Sequence, residues 1–203
     1  GGSGVASGAY LAHFTFGGVE VFTCGPWCQG PVLLQTLSLL DGVDLKALGH
    51  NTPAYVHYVT EAMKLCFGDR ERFYGDPRFV AVPMDALLAL ASAAGRRRLI
   101  GERAWAEMPP AGAVAGFAAT SARPVEAAAG GGDLGGGDTS YVCVVDRHGN
   151  AFSATPSDSS WDGPVIPGLG FVPSTRGSQS WAVPGHASSV APGKRPRLTP
   201  NPA

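Results

Sequence analysis

The chain opens with a strand pattern at residues 17–23. Val19 and Val21 lie on one face of such a strand, and Glu20 and Phe22 lie on the other. Closely spaced glycines and prolines then follow over residues 25–31, which is typical of a turn. The pattern predicts a short strand that leads through a turn into the next element.

Three helices are predicted after this strand. The first begins near Pro31, because proline suits the first helical position, and leucines follow it at helical spacing. The second covers residues 53–70, where Thr52 can cap the helix and Pro53 can open it. The third begins near Pro83. The apolar positions that support these helices are Leu33, Leu34, Leu37 and Leu40, then Val56, Val59, Met63 and Cys66, and finally Leu87, Leu88, Leu90 and Ala91.

The composition changes at residues 104–137. Alanine, glycine and proline dominate this stretch, and no apolar periodicity is visible. Such a segment has little apolar surface to offset the entropy lost on ordering. We therefore predict a flexible linker there.

A β-hairpin is predicted after the linker. Residues 141–145 form a dense run of β-forming residues, and residues 151–155 alternate as a return strand. Between them Asp146 and Gly149 mark a tight turn. Because the helices precede the hairpin instead of alternating with strands, the pattern favours an α+β fold.

Composition and charge exclude several classes of protein. The 203 residues are 44% hydrophobic and 15% charged, enough apolar surface for a buried core. With 15 basic and 16 acidic residues the net charge is −1, so no electrostatic case exists for a nucleic-acid partner. No apolar run reaches the roughly 18 to 20 residues of a transmembrane segment. Four cysteines are too few for a disulfide scaffold.

Several short motifs do not complete a cofactor or metal site. Cys24 and Cys28 have neither zinc nor redox spacing and are interpreted as buried thiols. His57 and Glu61 share one helix face, which predicts a surface hydrogen bond. The glycines before Asp138 resemble a phosphate-binding loop without its lysine. The basic residues 194–197 are interpreted as a loop anchor, and no cofactor is expected.

Thr139 lies where the glycine-rich linker meets the predicted hairpin. If the bond between Asp138 and Thr139 is cut, Thr139 becomes a chain N-terminus. Its α-amino group, with a pKa of about 7.7 to 8.0, can then accept the proton of its own hydroxyl. The alternative is that Thr139 is only the first residue of a strand.

The chain carries five short motifs in a fixed order, and together they resemble the gamma-glutamyltransferase family of N-terminal-nucleophile hydrolases. The motifs are Gly25-Pro26-x2-Gln29-Gly30, His57-x3-Glu61-Ala62-x-Lys64, Tyr74-Gly75-Asp76-Pro77, Gly137-Asp138-Thr139-Ser140 and Gly193-Lys194-Arg195-Pro196.

The resemblance implies a four-layer αββα sandwich, only partly covered by this chain, and self-cleavage before Thr139. Residues 1–138 would be the C-terminal part of a large subunit, and residues 139–203 the N-terminal part of a small subunit. The family's oxyanion-hole glycines would follow Ala203, and its carboxylate-binding arginine would precede Gly1. We therefore expect a segment of a longer protein, inactive in isolation.

The implied reaction is acyl transfer without a cofactor. Thr139 would take a γ-glutamyl or related acyl group from a small-molecule amide such as glutathione and pass it to water or an amine. Ser157 occupies the position of a second hydroxyl that hydrogen-bonds the nucleophile in the family. Its alternative role is that of a turn residue at a strand end.

The sequence departs from the family at the positions expected to bind substrate, which are Ser159, Arg176 and Gln179. Ser159 replaces an asparagine, and residues 174–179, which include Arg176, replace a stretch with an acidic residue. Arg176 would weaken recognition of an ammonium group and could pair with a carboxylate. Leu198 and Thr199 stand near the place of two paired serines. Two alternatives therefore stay open: a β-lactam or other amide acylase, and a non-catalytic relative.

Overall fold

The computed structural model describes residues 11–117, 139–157 and 163–199. Within these ranges the strands form two separate two-stranded antiparallel sheets, β1 with β2 and β3 with β4. The elements are the strands Leu11–Phe16 (β1), Val19–Cys24 (β2), Val142–Val145 (β3) and Ala151–Ala154 (β4), the helices Gly30–Leu40 (α1), Leu45–Leu48 (α2), Pro53–Phe73 (α3), Met84–Leu88 (α4) and Leu90–Arg97 (α5), and a 3-10 helix at Thr175–Gln179.

The predicted strand at residues 17–23 is the second half of a hairpin. Gly17 and Gly18 form its turn, with φ angles of 57° and 83°, and Phe16 pairs with Val19 across it. Both turn positions need positive φ, which glycine adopts without steric cost. The prediction was therefore wrong at the start of the strand, and it missed β1, of which Phe14 is buried.

Helix α3 begins as predicted but runs to Phe73, and its buried face differs from the predicted stripe. The Thr52 hydroxyl accepts a hydrogen bond from the Tyr55 amide and caps the helix. Val56 and Met63 are 51% and 42% exposed. The buried positions of α3 are Glu61, Ala62, Leu65, Cys66, Gly68, Asp69 and Phe73. Two of these are carboxylates, which an apolar pattern does not detect.

The third predicted helix is broken in two at Ala89. The backbone there is extended, with φ −63° and ψ 134°, and it separates α4 from α5. Leu88 is fully buried, whereas Leu90 is 47% exposed. Beyond the break, Arg96 of α5 donates a hydrogen bond to the Leu65 carbonyl of α3. The helical spacing of the apolar residues did not reveal this interruption.

Helix α1 lies between the first hairpin and α3 and packs against both. On one side Leu34 joins a cluster with Phe14 of β1 and Leu88 of α4. On the other side Leu39 joins a cluster with Leu65 of α3. The central position of α1 explains why most of its residues are buried.

Residues 101–117 have irregular backbone and lie against α3. The Trp105 amide donates to the Glu61 carboxylate, and the Gly112 amide donates to Asp69. A Cβ atom at Gly68 would lie 2.6 Å from the Pro109 carbonyl oxygen, so the close approach requires glycine. The rest of the predicted linker, residues 118–137, lies outside the described residues.

The prediction that the basic cluster at residues 194–197 anchors a loop is confirmed. The Arg195 side chain donates to both carboxylate oxygens of Asp76, at 3.1 and 2.8 Å. Arg197 donates to the Arg70 carbonyl and to the Glu71 carboxylate. The C-terminal segment is thereby attached to the end of α3.

Helices and antiparallel strands occupy separate parts of the chain, in agreement with an α+β composition. The described residues form two small sheets, so the four-layer sandwich stays a prediction. No helix within these residues combines the length and hydropathy of a membrane span.

Candidate active site

The hairpin of β3 and β4 places Thr139 opposite Ser157. Val142 pairs with Ala154, and the Ser140 amide continues the ladder with a 3.0 Å hydrogen bond to the Pro156 carbonyl. Extending this antiparallel register by one more residue on each strand brings Thr139 and Ser157 together at the open end of the hairpin.

The turn at the other end of the hairpin fixes this register. One carboxylate oxygen of Asp146 accepts hydrogen bonds from the amides of His148 and Asn150, at 2.8 and 2.9 Å. Gly149 supplies the positive φ of 82° that the turn needs. Hydrogen bonds from Asn150 lower the pKa of Asp146. The turn residues Asp146 and Asn150 thus determine which two residues meet seven positions away along each strand.

The two hydroxyls of Thr139 and Ser157 are in direct contact. Their Oγ atoms lie 2.6 Å apart, a short hydrogen-bond distance for two hydroxyls. Arg176 lies on the other side of Ser157 and donates from Nη2 to its Oγ at 2.6 Å. The same Nη2 also donates to the backbone carbonyl of Ser157. One guanidinium therefore holds both oxygens of Ser157.

Arg176 is fixed in turn by Thr199 and Gln179. Its Nη1 donates to the Thr199 hydroxyl at 2.9 Å. The Gln179 side chain donates to the same hydroxyl at 2.9 Å and accepts from the Thr199 amide at 3.1 Å. The Ser174 hydroxyl accepts from the Arg176 amide and begins the 3-10 helix that carries both Arg176 and Gln179.

The site is attached to the helical part of the chain through Leu198. The Leu198 amide donates to the Trp27 carbonyl at 2.8 Å, just before α1. Arg195 stacks over the Trp27 ring, with 4.3 Å between its guanidinium carbon and the ring centroid. Thr199 is therefore positioned by contacts with the segment that precedes α1.

Four of the residues singled out from the sequence meet in this network: Thr139, Ser157, Arg176 and Gln179. Asp138 and Ser159 lie outside the described residues. Sequence reasoning missed Thr199, although it stands near the place of the family's paired serines. A hydroxyl residue at that place was the available signal, but its partners become visible only when the chain is folded.

The other sequence candidates have structural partners. His57 Nε2 lies 2.7 Å from the Gly101 carbonyl, and the Glu61 carboxylate accepts from Lys64. Burial raises the pKa of Glu61, but the hydrogen bonds from Lys64 and the Trp105 amide outweigh burial and lower it. The prediction of a surface hydrogen bond is wrong for Glu61, which is buried.

The described part of the chain holds no cluster of metal-binding side chains, and Cys28 is a buried thiol. No group of three or more His, Cys, Asp or Glu side chains is arranged there to hold a metal ion. Cys28 is buried as predicted, whereas Cys24 is only half-buried. Burial raises the pKa of Cys28 to about 12, so its thiol stays protonated near neutral pH.

A sequence profile of the gamma-glutamyltranspeptidase family matches residues 9–203. The chain belongs to this family, also called gamma-glutamyltransferases. It is 34% identical over 172 residues to the acylase ACY 1 proenzyme of a Pseudomonas species. It is 28% identical over 193 residues to a glutathione hydrolase proenzyme of another Pseudomonas strain.

A solved structure of an acylase has a similar fold. The cephalosporin acylase of Bacillus halodurans superposes with a TM-score of 0.70 at 25% identity, over 94% of this chain and 31% of that protein. The two sequence relatives are matched over 84% and 87% of this chain but only 27% and 30% of their own length. The chain therefore spans less than a third of these relatives, and both are named as proenzymes.

Proposed function

We propose that this chain belongs to an autoprocessed amide hydrolase or acyltransferase in which Thr139 is the nucleophile. The observation that carries this proposal is the 2.6 Å contact between the hydroxyls of Thr139 and Ser157. A hydroxyl nucleophile needs a neighbouring group that orients it and stabilises its developing negative charge. Ser157, held by Arg176, is suited to that role.

The first reaction is cleavage of the precursor. The Thr139 oxygen attacks the carbonyl carbon of Asp138, and the bond from that carbon to the Thr139 nitrogen breaks. The nitrogen takes up the proton lost by the hydroxyl, so an ester replaces the amide and the amine is released. Water then hydrolyses the ester. Asp138 becomes a C-terminal carboxylate, and Thr139 becomes a free N-terminus.

The mature reaction uses the same oxygen with a new base. The α-amino group of Thr139 accepts the hydroxyl proton, and the oxygen attacks the carbonyl carbon of the substrate amide. The proton passes to the departing amine, which leaves an acyl ester on Thr139. Water or an acceptor amine attacks this ester, takes the acyl group and restores the hydroxyl. The bonds made and broken in this scheme involve only Thr139, the substrate, and water or an acceptor amine.

The first candidate substrate is a γ-glutamyl amide such as glutathione. Family membership supports this assignment, and one relative is named as a glutathione hydrolase proenzyme. The large and small subunits of the same precursor would then be the protein partners. Both relatives are named as proenzymes, which supports processing from a single chain.

The second candidate is an acylase that releases the acyl group of a β-lactam or another amide. Arg176 supports it, because a guanidinium beside the nucleophile disfavours the ammonium group of a glutamyl donor. Ser159 and Gln179 would contribute to the same substrate pocket. One relative is named as an acylase, and so is the Bacillus halodurans structure.

The test of the nucleophile uses the full-length precursor. Intact mass and denaturing electrophoresis should show two chains, with the break before Thr139. Thr139→Ala should remain one chain without activity, whereas Thr139→Ser should still be cleaved because it keeps a hydroxyl. The neighbouring variant Ser140→Ala is the matched control and should be cleaved like the wild type.

An intact wild-type precursor that is correctly folded would instead indicate a non-catalytic relative, and normal cleavage of Thr139→Ala would exclude Thr139 as nucleophile. For the processed enzyme, release of an anilide from a γ-glutamyl donor identifies the first candidate. Release of an acyl side chain from a β-lactam, without anilide release, identifies the second.

A further inference from the structure

Arg176 contacts Ser157, the residue whose hydroxyl contacts Thr139. Its Nη2 lies 2.6 Å from Ser157 Oγ, which in turn lies 2.6 Å from Thr139 Oγ1. We propose that Arg176 is a positioning residue for Thr139, which it orients and activates through Ser157, and that its primary role is not to bind the substrate. This inference rests on the proposed function of Thr139.

The direction of the hydrogen bonds follows from the charge of Arg176. A guanidinium can only donate, so Ser157 Oγ is an acceptor toward Arg176. A hydroxyl that accepts from a cation becomes a stronger donor, because its electron density shifts toward the charge. We assign the proton of Ser157 to the hydrogen bond with Thr139 Oγ1. In that orientation it stabilises the negative charge that develops as Thr139 loses its proton.

The guanidinium is held in place by the protein before any substrate arrives. Nη2 holds the side-chain and backbone oxygens of Ser157, which fixes the rotamer of that serine. Nη1 donates to Thr199, which Gln179 fixes with two further hydrogen bonds. Such preorganisation is what a positioning role requires. A residue reserved for a substrate carboxylate would instead direct its paired nitrogens into the open site.

The rate of precursor cleavage distinguishes a positioning role of Arg176 from a substrate-binding role. That reaction involves Thr139 and its own backbone, and no external substrate takes part. A residue that acts on the nucleophile must affect the rate of cleavage, whereas a residue that only binds substrate must leave it unchanged. Loss of a donor that contacts the reacting oxygen costs roughly 10²- to 10³-fold in rate. Arg176 reaches that oxygen only through Ser157, so its loss should slow cleavage by about ten- to a hundredfold.

The experiment follows cleavage of the full-length precursor during cell-free synthesis, with the cleaved fraction measured over time on denaturing gels. Arg176→Gln should slow cleavage about ten- to a hundredfold, because one neutral amide cannot replace the charged guanidinium. Arg176→Lys should recover part of the rate, since it keeps the charge but cannot bridge Ser157 and Thr199. The matched control is Arg103→Gln, an exposed arginine remote in sequence from the hairpin, which should be cleaved at the wild-type rate.

A second readout uses the processed enzyme. Arg176→Gln should lower kcat while KM changes less than about threefold, because the lost interaction acts on the transition state. Wild-type cleavage of Arg176→Gln combined with a raised KM would overturn the proposal and identify Arg176 as a substrate-binding residue. If Arg176→Gln fails to fold, Thr199→Val decides the question. It should slow cleavage at least about threefold, and cleavage at the wild-type rate overturns the proposal.

Failure of this inference is distinguishable from failure of the proposed function. If the wild type is cleaved and Thr139→Ala is not, the nucleophile stands whatever Arg176 does. If the folded wild type is never cleaved, or Thr139→Ala is cleaved normally, the proposed function fails first.

Discussion

Arg195 forms a two-pronged ion pair with Asp76, a residue that lies on the other side of the Asp138–Thr139 bond in the sequence. The Asp76 carboxylate is fully buried, and it also accepts from the side chain of Arg78. The hydrogen bonds from Arg195 and Arg78 outweigh the opposing effect of burial and hold the pKa of Asp76 far below its usual range. If the precursor is cut before Thr139, this ion pair joins two separate polypeptides.

A second cluster crosses the same boundary. Arg197 donates to the Glu71 carboxylate at 2.8 Å, and His186 Nε2 lies 3.4 Å from the other oxygen of Glu71. His186 is stacked against Trp181, with 4.8 Å between the ring centroids. The contacts of Glu71 and the Asp76 pair belong to the polar part of the joint between the two proposed subunits, as does the hydrogen bond from Leu198 to Trp27.

Replacing Asp76 should weaken this joint. Asp76→Asn removes the charge opposite Arg195 and Arg78, and breaking one partner of a buried ion pair costs about 3 kcal/mol. We expect a lower melting temperature for the full-length protein and easier separation of the two chains after cleavage. Thermal denaturation and analytical gel filtration measure the two effects.

The control for this variant is Asp44→Asn. The exposed Asp44 carboxylate caps α2 by accepting from the Ala47 amide, and asparagine caps equally well. Its melting temperature should equal that of the wild type. A wild-type melting temperature for Asp76→Asn would contradict the role assigned to the ion pair.

The contribution of Asp76 to the free energy of unfolding should decrease as the pH falls. Because its pKa is lowered by folding, the stabilisation is complete above the unfolded value of about 3.9 and is lost as the pH falls below it. The difference in unfolding free energy between wild type and Asp76→Asn should therefore be constant near neutral pH. It should shrink between about pH 5 and pH 2. A constant difference down to pH 2 would be inconsistent with this assignment.

Gly75 should be intolerant of a side chain. A Cβ atom there would lie 2.3 Å from the Ala187 carbonyl oxygen, which belongs to the C-terminal segment. Gly75→Ala must push that segment away, and overpacking of this kind costs roughly 1 to 3 kcal/mol. Chemical denaturation of the full-length protein measures the loss.

Gly95→Ala is the matched control for Gly75. Gly95 lies within α5, and a Cβ atom there would meet no atom within 4 Å. Alanine is favoured over glycine in a helix by up to about 1 kcal/mol, so this variant should be as stable as the wild type or more stable. Equal stability losses in both variants would show that the close approach of Ala187 is not the cause.

The hydroxyl of Ser157 should be needed for rapid cleavage and turnover. Ser157→Ala removes the group 2.6 Å from Thr139 Oγ1, and we expect cleavage and turnover to slow about ten- to a hundredfold. Ser157→Thr keeps a hydroxyl and should retain most of the activity. The control is Ser153→Ala in β4, whose hydroxyl contacts the Tyr141 hydroxyl at 3.0 Å. An unchanged rate in Ser157→Ala would mean that the contact has no catalytic role.

Cys28 and Cys66 should resist alkylation in the native protein. Both are buried, and burial raises the pKa of each thiol to about 12. The thiolate is the reactive form, so iodoacetamide at pH 8 should leave both unmodified. Mass mapping of the peptides measures this. Labelling in denaturant should modify both cysteines, and rapid modification in the native state would contradict the burial described for them.

Local signals in the sequence were sufficient for α1, α3 and the second hairpin, because each depends on neighbouring residues, but β1, α2 and the 3-10 helix were not predicted. Thr52 and Pro53 defined the start of α3, and Gly149 marked the turn of the second hairpin. The break at Ala89 was not predictable, since alanine favours a helix. The burial of Glu61 and Asp69 was also missed, because a buried carboxylate needs partners such as the Trp105 amide and Arg96, which are distant in sequence.

The sequence by itself determined the hairpin that carries Thr139, whereas Ser157 was named as its partner only through the resemblance to the family, with a role as a turn residue left open. The turn at residues 146–150 fixes the register of one hairpin, and both residues belong to that hairpin. Only the tertiary structure decided what surrounds them, since Arg176, Gln179 and Thr199 reach Ser157 through contacts between separate segments. Hairpin register depends on local backbone geometry, whereas the contacts of a long side chain depend on how remote parts of the chain pack.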